Sequence, residues 1–360
     1  MDKRYRSNTS IIIYIIVGTL IFFPLIQHSY SQTEEKKVLR IGYFPNINHA
    51  QAVIGIGNGD YQKVLGDNVE IKPFIFNAGP SAIEALFAKQ VDVTYVGPNP
   101  AINGYVISEG KDVRAIAGAT SGGAVFVIRG DTGITSTADF ANKKFASPLL
   151  GNTQDVALRN YLLENGYKTV ENKGNVHVLP AKNPDIITLF LKKDIDGAWV
   201  PEPWGERLIK EANGKLFLDE RDLWPDGKFV TGLIVVRTDY LQNPDVIEKF
   251  LKAHVEETEW INNNKEEAVK AFNTELKKIT RQTIPEDQLK EALTRLEFTY
   301  DPIQQSLYKS AEDAFSVGFL GKSKPDLSNI FDLNALNKVL NEKGLATINS
   351  TTPEVSQIVN

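Results

Sequence analysis

The sequence predicts an α/β protein built on parallel sheets, and three observations carry that prediction. Short apolar strands alternate with amphipathic helices through residues 38–119, joined by brief links. The same order of strand, polar loop, helix, strand, helix, strand and Pro-rich turn returns over residues 124–204, an echo of topology and not of residue identity. The composition is ordinary for a globular chain: 360 residues, 42% hydrophobic and 24% charged, a length that suits two domains better than one.

The elements follow from local pattern. Val38–Tyr43 reads as a strand, and an amphipathic helix runs from Ala50 to Leu65. Val69–Phe76 alternates apolar and polar residues, the mark of a second strand. Asn77–Ser81 is a turn whose Pro80 or Ser81 starts a helix with Ile83, Leu86 and Phe87 on its apolar face. Val91–Val96 is a strand ended by Gly97-Pro98-Asn99-Pro100, a helix follows to Ser108, and Val113–Ala119 is a strand. The second unit opens with strand Ala124–Arg129 and a short capped helix at Thr137–Phe140. Helix Gln154–Asn165 is closed by Gly166, and Val176–Leu179 is the next strand. Helix Pro184–Leu191 and strand Asp196–Val200 complete the unit, which ends in the turn Pro201-Glu202-Pro203-Trp204. Thr231–Arg237 is one more strand, everything after Asn243 reads as helix, and the segment from 341 on is a polar, flexible tail.

The N-terminus reads as an export signal. Lys3, Arg4 and Arg6 precede an almost unbroken apolar run from Ile11 to Ile26, and Ser29–Gln32 supply small residues for cleavage. Residues 1–31 are expected to be a signal peptide, with an uncleaved anchor as the alternative. In both cases the rest of the chain is expected in the periplasm or on the outer face of the cell membrane. Lys+Arg is 40 against Asp+Glu 45; without residues 1–31 the balance is 37 against 44. A chain this acidic lacks the electrostatic footprint of a nucleic-acid binder. The cysteine count is zero, which excludes disulfides, thiolate metal sites, cysteine nucleophiles and a lipid-modified N-terminal cysteine.

Catalytic signatures are missing. The four histidines, at 28, 49, 177 and 254, have no partner at metal-ligand spacing, and no G-x-S-x-G elbow occurs. No catalytic residue, metal or cofactor is expected. What remains is a set of polar turns, each between a strand's C-terminal end and a helix N-terminus: Asn46–Gln51, Asn77–Ser81, Gly97–Asn99, Gly151–Gln154 and Trp199–Trp204. Such ends line the crevice of an open sheet, and helix N-termini offer unpaired N–H groups and partial positive charge. Converging turns can therefore hold a small anion without arginine. On this reading Arg159 and Arg207 are solvated or paired on helices. Taken singly, the Asn, Ser and Thr residues are helix caps and the tryptophans are core aromatics; five such turns in two similar units favour a shared site.

At these turns the sequence resembles the substrate-binding proteins of ABC importers for aliphatic sulfonates, nitrate and taurine, and the sulfonate branch most. The carrying segments are IGYFPNINHAQAVIG (41–55), FNAGPSAIEALFA (76–88), VGPNPAINGY (96–105), GNTQDVALRNYL (151–162), DGAWVPEPWGERL (196–208) and DERDLWPDGKFVT (219–231). The resemblance covers roughly residues 38–340. It implies a two-lobed, type II periplasmic-binding-protein fold, with mixed sheets flanked by helices and the ligand cleft between the lobes. Lobe 1 would hold 38–120 and 231–340, and lobe 2 would hold 121–230. The resemblance places Tyr43, Asn46, His49, Asn77, Gly79, Ser81, Gly97 and Asn99 on the first wall of the cleft. It places Asn152, Thr153, Gln154, Trp199, Glu202 and Trp204 on the second. The implied partners are a small sulfonate-like anion and a membrane permease, and the implied state is a monomer. Nitrate, taurine, bicarbonate or a thiamine pyrimidine precursor are alternative ligands, and ligand sensing is an alternative role.

Overall fold

The computed structural model describes residues 36–351. The expected export signal over residues 1–31 and the last residues of the expected tail, 352–360, lie outside the described residues. β1 (Lys37–Tyr43) leads through a 3-10 turn (Ile47–His49) into α1 (Ala50–Gly57) and α2 (Asp60–Leu65). The single helix expected over Ala50–Leu65 is thus two helices. Gly59 takes φ +88°, a left-handed conformation that ends one and starts the other. β2 (Val69–Ile75), α3 (Gly79–Phe87), β3 (Val93–Val96), α4 (Pro98–Ile107) and β4 (Val113–Gly122) follow. Next come β5 (Ala124–Arg129), β6 (Lys144–Pro148), α5 (Thr153–Glu164), β7 (His177–Ala181), α6 (Asn183–Leu191), β8 (Gly197–Pro201), α7 (Trp204–Glu211) and β9 (Gly214–Asp219). The chain then runs through β10 (Val230–Arg237), α8 (Pro244–Asn263), α9 (Lys265–Thr280), α10 (Glu286–Leu293), β11 (Leu296–Phe298), α11 (Gln304–Ser316) and α12 (Asn334–Glu342). Proline occupies one of the first two positions of α3, α4, α6 and α8, where its missing N–H is not needed.

Two sheets centre two lobes. The first has strand order β11-β4-β10-β3-β1-β2 and the second β7-β6-β8-β5-β9. Both are mixed rather than purely parallel. β1 pairs in parallel with β2 and β3, while β10 runs antiparallel to β3 and β4. In the second sheet β6 is parallel to β7 and β8, and β5 is antiparallel to β8 and β9. Central strands β3, β8 and β10 are buried at every residue, while edge strands β2 and β9 are partly open. β2 is also where Pro73 sits, at an edge that tolerates a missing ladder donor. Three strands escaped the sequence pattern. β6 runs directly into the polar loop before α5, β9 is a half-exposed edge with no clean alternation, and β11 has only three residues inside a stretch expected to be helical.

The chain passes between the sheets where β4 ends at Gly122 and β5 begins at Ala124, and again where β9 ends at Asp219 and β10 begins at Val230. Gly122 and Gly123 both take φ +73°, which glycine alone adopts without strain. The second sheet closes on an aromatic cluster in which Phe126 packs on Phe140, Phe145, Trp199 and Phe217. Of the tail, residues 348–351 are tied to the body: Asn337 exchanges hydrogen bonds with Ile348, and Gln304 with Asn349 and Thr351. Among the described residues no helix is long and apolar enough to cross a membrane.

Candidate functional site

The turns expected to converge do meet across the two lobes. Trp204, at the start of α7, donates its indole N–H to Asn46 Oδ1 at 2.9 Å, joining the turn after β8 to the turn after β1. A Cβ added at Gly79, at the start of α3, would stand 3.1 Å from Asn152 Oδ1. One added at Gly97 would stand 2.2 Å from Thr153 Oγ1. Glycine at 97 is therefore what lets the N-terminus of α5 approach the N-terminus of α4. Thr153 is 5% exposed, and its hydroxyl has no hydrogen-bond partner among the described residues. The backbone N–H groups of Asp155 and Val156 bond the Asn152 carbonyl, whereas those of Thr153 and Gln154 meet no acceptor among the described residues. A buried hydroxyl and two free donors at a helix N-terminus form a place for an anion's oxygens.

The remaining expected residues divide. His49 is buried, stacks on Phe44 at 4.6 Å and accepts the Phe44 N–H on Nδ1. Burial lowers its pKa to about 3, so it is neutral with its proton on Nε2. Tyr43 lies in the apolar core of the first lobe, where burial pushes its phenol up to about 12. Asn99 is buried but spent on the Ser310 carbonyl at 3.1 Å, and Gln154 is buried in the first turn of α5. Asn77 and Ser81 are exposed. Trp199 stands apart from the turns: it is fully buried in the aromatic cluster and donates to Glu220 Oε2 at 2.6 Å. Burial outweighs that bond and raises Glu220 to about 7.

Glu202 is fully buried and turned away from the facing turns. It accepts the Glu206 N–H at 3.0 Å and Arg295 Nη1 at 2.8 Å. Arg295 lies 93 residues away in the chain, so no local pattern announced it. Asn48 lies within the expected turn 46–51, but its long-range role was missed for the same reason. Its Nδ2 reaches the Gly122 and Gly123 carbonyls, each at 3.4 Å, and Thr231 Oγ1 at 3.3 Å, tying both crossovers to the first turn. The arginines are paired as expected. Arg159 bonds Asp155 and sits 5.8 Å from the Phe319 ring, while Arg207 bonds Glu211 through two nitrogens and lies 4.9 Å over Trp204. Among the described residues no group of three or more His, Cys, Asp or Glu is placed to hold a metal ion. A cavity of about 930 Å³ opens between the Leu223–Lys228 segment and α11, and it touches none of these turns.

Comparison with known proteins puts this geometry in context. The chain is 25% identical over 206 residues to the taurine-binding periplasmic protein of Escherichia coli (strain K12), a match over 57% of this chain and 61% of that protein. It is 27% identical over 186 residues to a binding protein of Brucella abortus (strain 2308), over 51% of this chain and 55% of the relative. The chain thus spans little more than half the length of these relatives. Among solved structures, the alkanesulfonate-binding protein of Xanthomonas axonopodis pv. citri superposes with a TM-score of 0.67 at 16% identity, covering 80% of this chain and 96% of that one. The periplasmic nitrate-binding protein of Synechocystis PCC 6803 gives a TM-score of 0.71 at 14% identity, over 86% and 89%. These likenesses show a periplasmic-binding-protein fold. The profile of the NMT1-like family matches residues 32–274, more than half of the sequence, and the chain belongs to that family.

Proposed function

We propose that this chain is an extracytoplasmic solute-binding protein that captures a small organic anion between its lobes and passes it to an ABC permease. The observation that carries the reading is the unpartnered, buried Thr153 hydroxyl at a helix N-terminus with free N–H groups, set against Gly97 of the other lobe. An aliphatic sulfonate fits this chemistry. Its oxygens suit the donors of Thr153 and Gln154, and its alkyl part suits the face of Trp204. The taurine-, nitrate- and alkanesulfonate-binding relatives support the same ligand class. Within the reading, lobe 1 comprises residues 38–120 and 231–340 and lobe 2 comprises 121–230. Asn46, Gly79, Gly97, Asn152, Thr153, Gln154 and Trp204 form the contact set, and Asn77 and Ser81 stand at the rim. Tyr43, His49, Asn99, Trp199 and Glu202 support the site from behind. The role is binding and not catalysis: His49, Glu202 and Asn99 are each engaged in the fold's own bonds. The protein is exported and acts as a monomer, with both lobes free to move.

A thermal-shift screen of residues 33–360 tests this with methane- and ethanesulfonate, taurine, nitrate, bicarbonate, sulfate and a thiamine pyrimidine precursor. A ligand at about 100 times its dissociation constant adds ~2.7 kcal/mol of stability. A shift with alkylsulfonates that is lost in Thr153→Val supports the proposal. A shift with nitrate or the pyrimidine replaces the ligand, and silence across the panel overturns the assignment.

A further inference from the structure

A buried charge cluster holds the Trp204 turn from the opposite lobe. Arg295 lies between α10 and β11, and β11 pairs with β4 of the first sheet. Its Nη1 reaches Glu202 Oε1 at 2.8 Å and Glu206 Oε2 at 3.0 Å, both on the turn and helix that follow β8 of the second sheet. Glu202 is 0% exposed and Glu206 1%, so neither carboxylate is hydrated. The backbone closes a ring through the crossover. Gly123 donates its N–H to the Arg295 carbonyl at 2.7 Å, and Glu202 donates its N–H to the Gly123 carbonyl at 2.8 Å. The guanidinium then returns from Arg295 to the Glu202 carboxylate. Rotation at Gly122–Gly123, the crossover with φ +73° at both residues, strains or breaks that last link.

We propose that Arg295 is a positioning residue of the ligand cleft: by latching Glu202 and Glu206 to the first lobe it holds the Trp204 turn against Asn46 and sets how readily the lobes part. The inference rests on the binding function proposed above. It also makes the latch proton-linked. Glu202 faces Arg295 and Glu206; Glu206 also faces Lys210 on α7; and Arg295 in turn bonds Glu291 of α10 at 3.0 Å and feels the charge of Arg221 from the turn after β9. Lys210 is half exposed and 3.7 Å from Glu206, so two buried carboxylates share one buried guanidinium and the cluster is short of positive charge. Burial raises Glu202 to about 7 despite Arg295. Opening the lobes hydrates Glu202 and returns it toward the ordinary range, so the joined arrangement binds the extra proton. Lobe closure, and ligand affinity with it, therefore weakens as pH rises from about 5 to about 8.

The test uses Arg295→Gln, Arg295→Lys and Glu202→Gln in residues 33–360, with ethanesulfonate, taurine and nitrate as probes. Stopped-flow tryptophan fluorescence should show at least tenfold faster ligand dissociation in Arg295→Gln with association within twofold, and part of that loss recovered by Arg295→Lys. Glu202→Gln, which keeps the side chain's volume, should flatten the pH profile of affinity between 5 and 8. Unchanged dissociation in Arg295→Gln, with only a lowered melting temperature, overturns the latch. A wild-type pH slope retained in Glu202→Gln overturns the proton linkage, and that reading stands even where Arg295→Gln does not fold. If no probe binds the wild type, the binding proposal falls while the latch is still decided by small-angle scattering of ligand-free protein. The wild type should then be more compact than Arg295→Gln, and equal radii of gyration refute it.

Discussion

Replacing Gly97 by alanine tests whether the two lobes make one site. Gly97 has φ −72° and ψ 162°, an extended backbone that alanine adopts without strain. The consequence is therefore steric and falls between lobes. The new methyl would lie 2.2 Å from Thr153 Oγ1 and 3.3 Å from Thr153 Cβ, whereas ordinary contact begins at 3.4 Å. The N-terminus of α5 must retreat by 1.2 Å, or Thr153 must rotate its hydroxyl off the site. Thr153 is short and β-branched, so rotation brings few alternatives. Overpacking of this kind costs about 1–3 kcal/mol, which falls on the joined form and weakens ligand binding roughly 5- to 150-fold. The ligand-free protein avoids the clash by parting its lobes, so its melting temperature should barely change. Isothermal titration of wild type, Gly97→Ala, Thr153→Ala and the double variant measures the coupling. The double variant loses the Oγ1 clash and should recover part of the affinity lost by Gly97→Ala. Wild-type affinity in Gly97→Ala, or single losses that simply add, would refute the reasoning.

Three further outcomes are expected. Trp204→Phe keeps an apolar ring but removes the N–H to Asn46, and should lose less affinity than Trp204→Ala, with both melting cooperatively; equal affinity in all three proteins removes Trp204 from the site. Arg159→Gln and Arg207→Gln should leave anion affinity within about threefold, because both guanidinia are already paired; a hundredfold loss in titration would assign the anion to an arginine. Glu257, on α8, is raised to about 8 by burial, so its folded state binds a proton that the unfolded state releases near 4.5. That stability is complete below pH 4.5 and is lost as pH rises to about 8. Chemical denaturation of Glu257→Gln should show a smaller decline between pH 6 and 8 than the wild type, and parallel curves would contradict it.

The turns that meet between the two sheets were legible because they are built from local grammar. A buried strand, a Gly- or Asn-containing turn and a Pro-started helix are short-range patterns, and a strand's C-terminal end faces the crevice whatever lies across it. Asn46, Gly79, Gly97, Asn152, Thr153 and Trp204 all lie in turns read that way. Side-chain direction was not legible. Trp199 and Trp204 lie five residues apart in one motif, yet one is sealed beside Phe126 and Glu220 and the other reaches Asn46. The strand's pleat and the turn that follows decide between them.

The sequence by itself determined the α/β class, the two units, the family and the turns available for binding, because each is written in residues near one another or in a recognisable run of them. Only the tertiary structure decided which turns touch and what holds them. Sheet order brings Arg295 to Glu202 across 93 residues, Asn48 to Thr231 across 183 and Trp204 to Asn46 across 158. Strand pairing over such distances is set by the burial of whole faces, which no local stretch of sequence records.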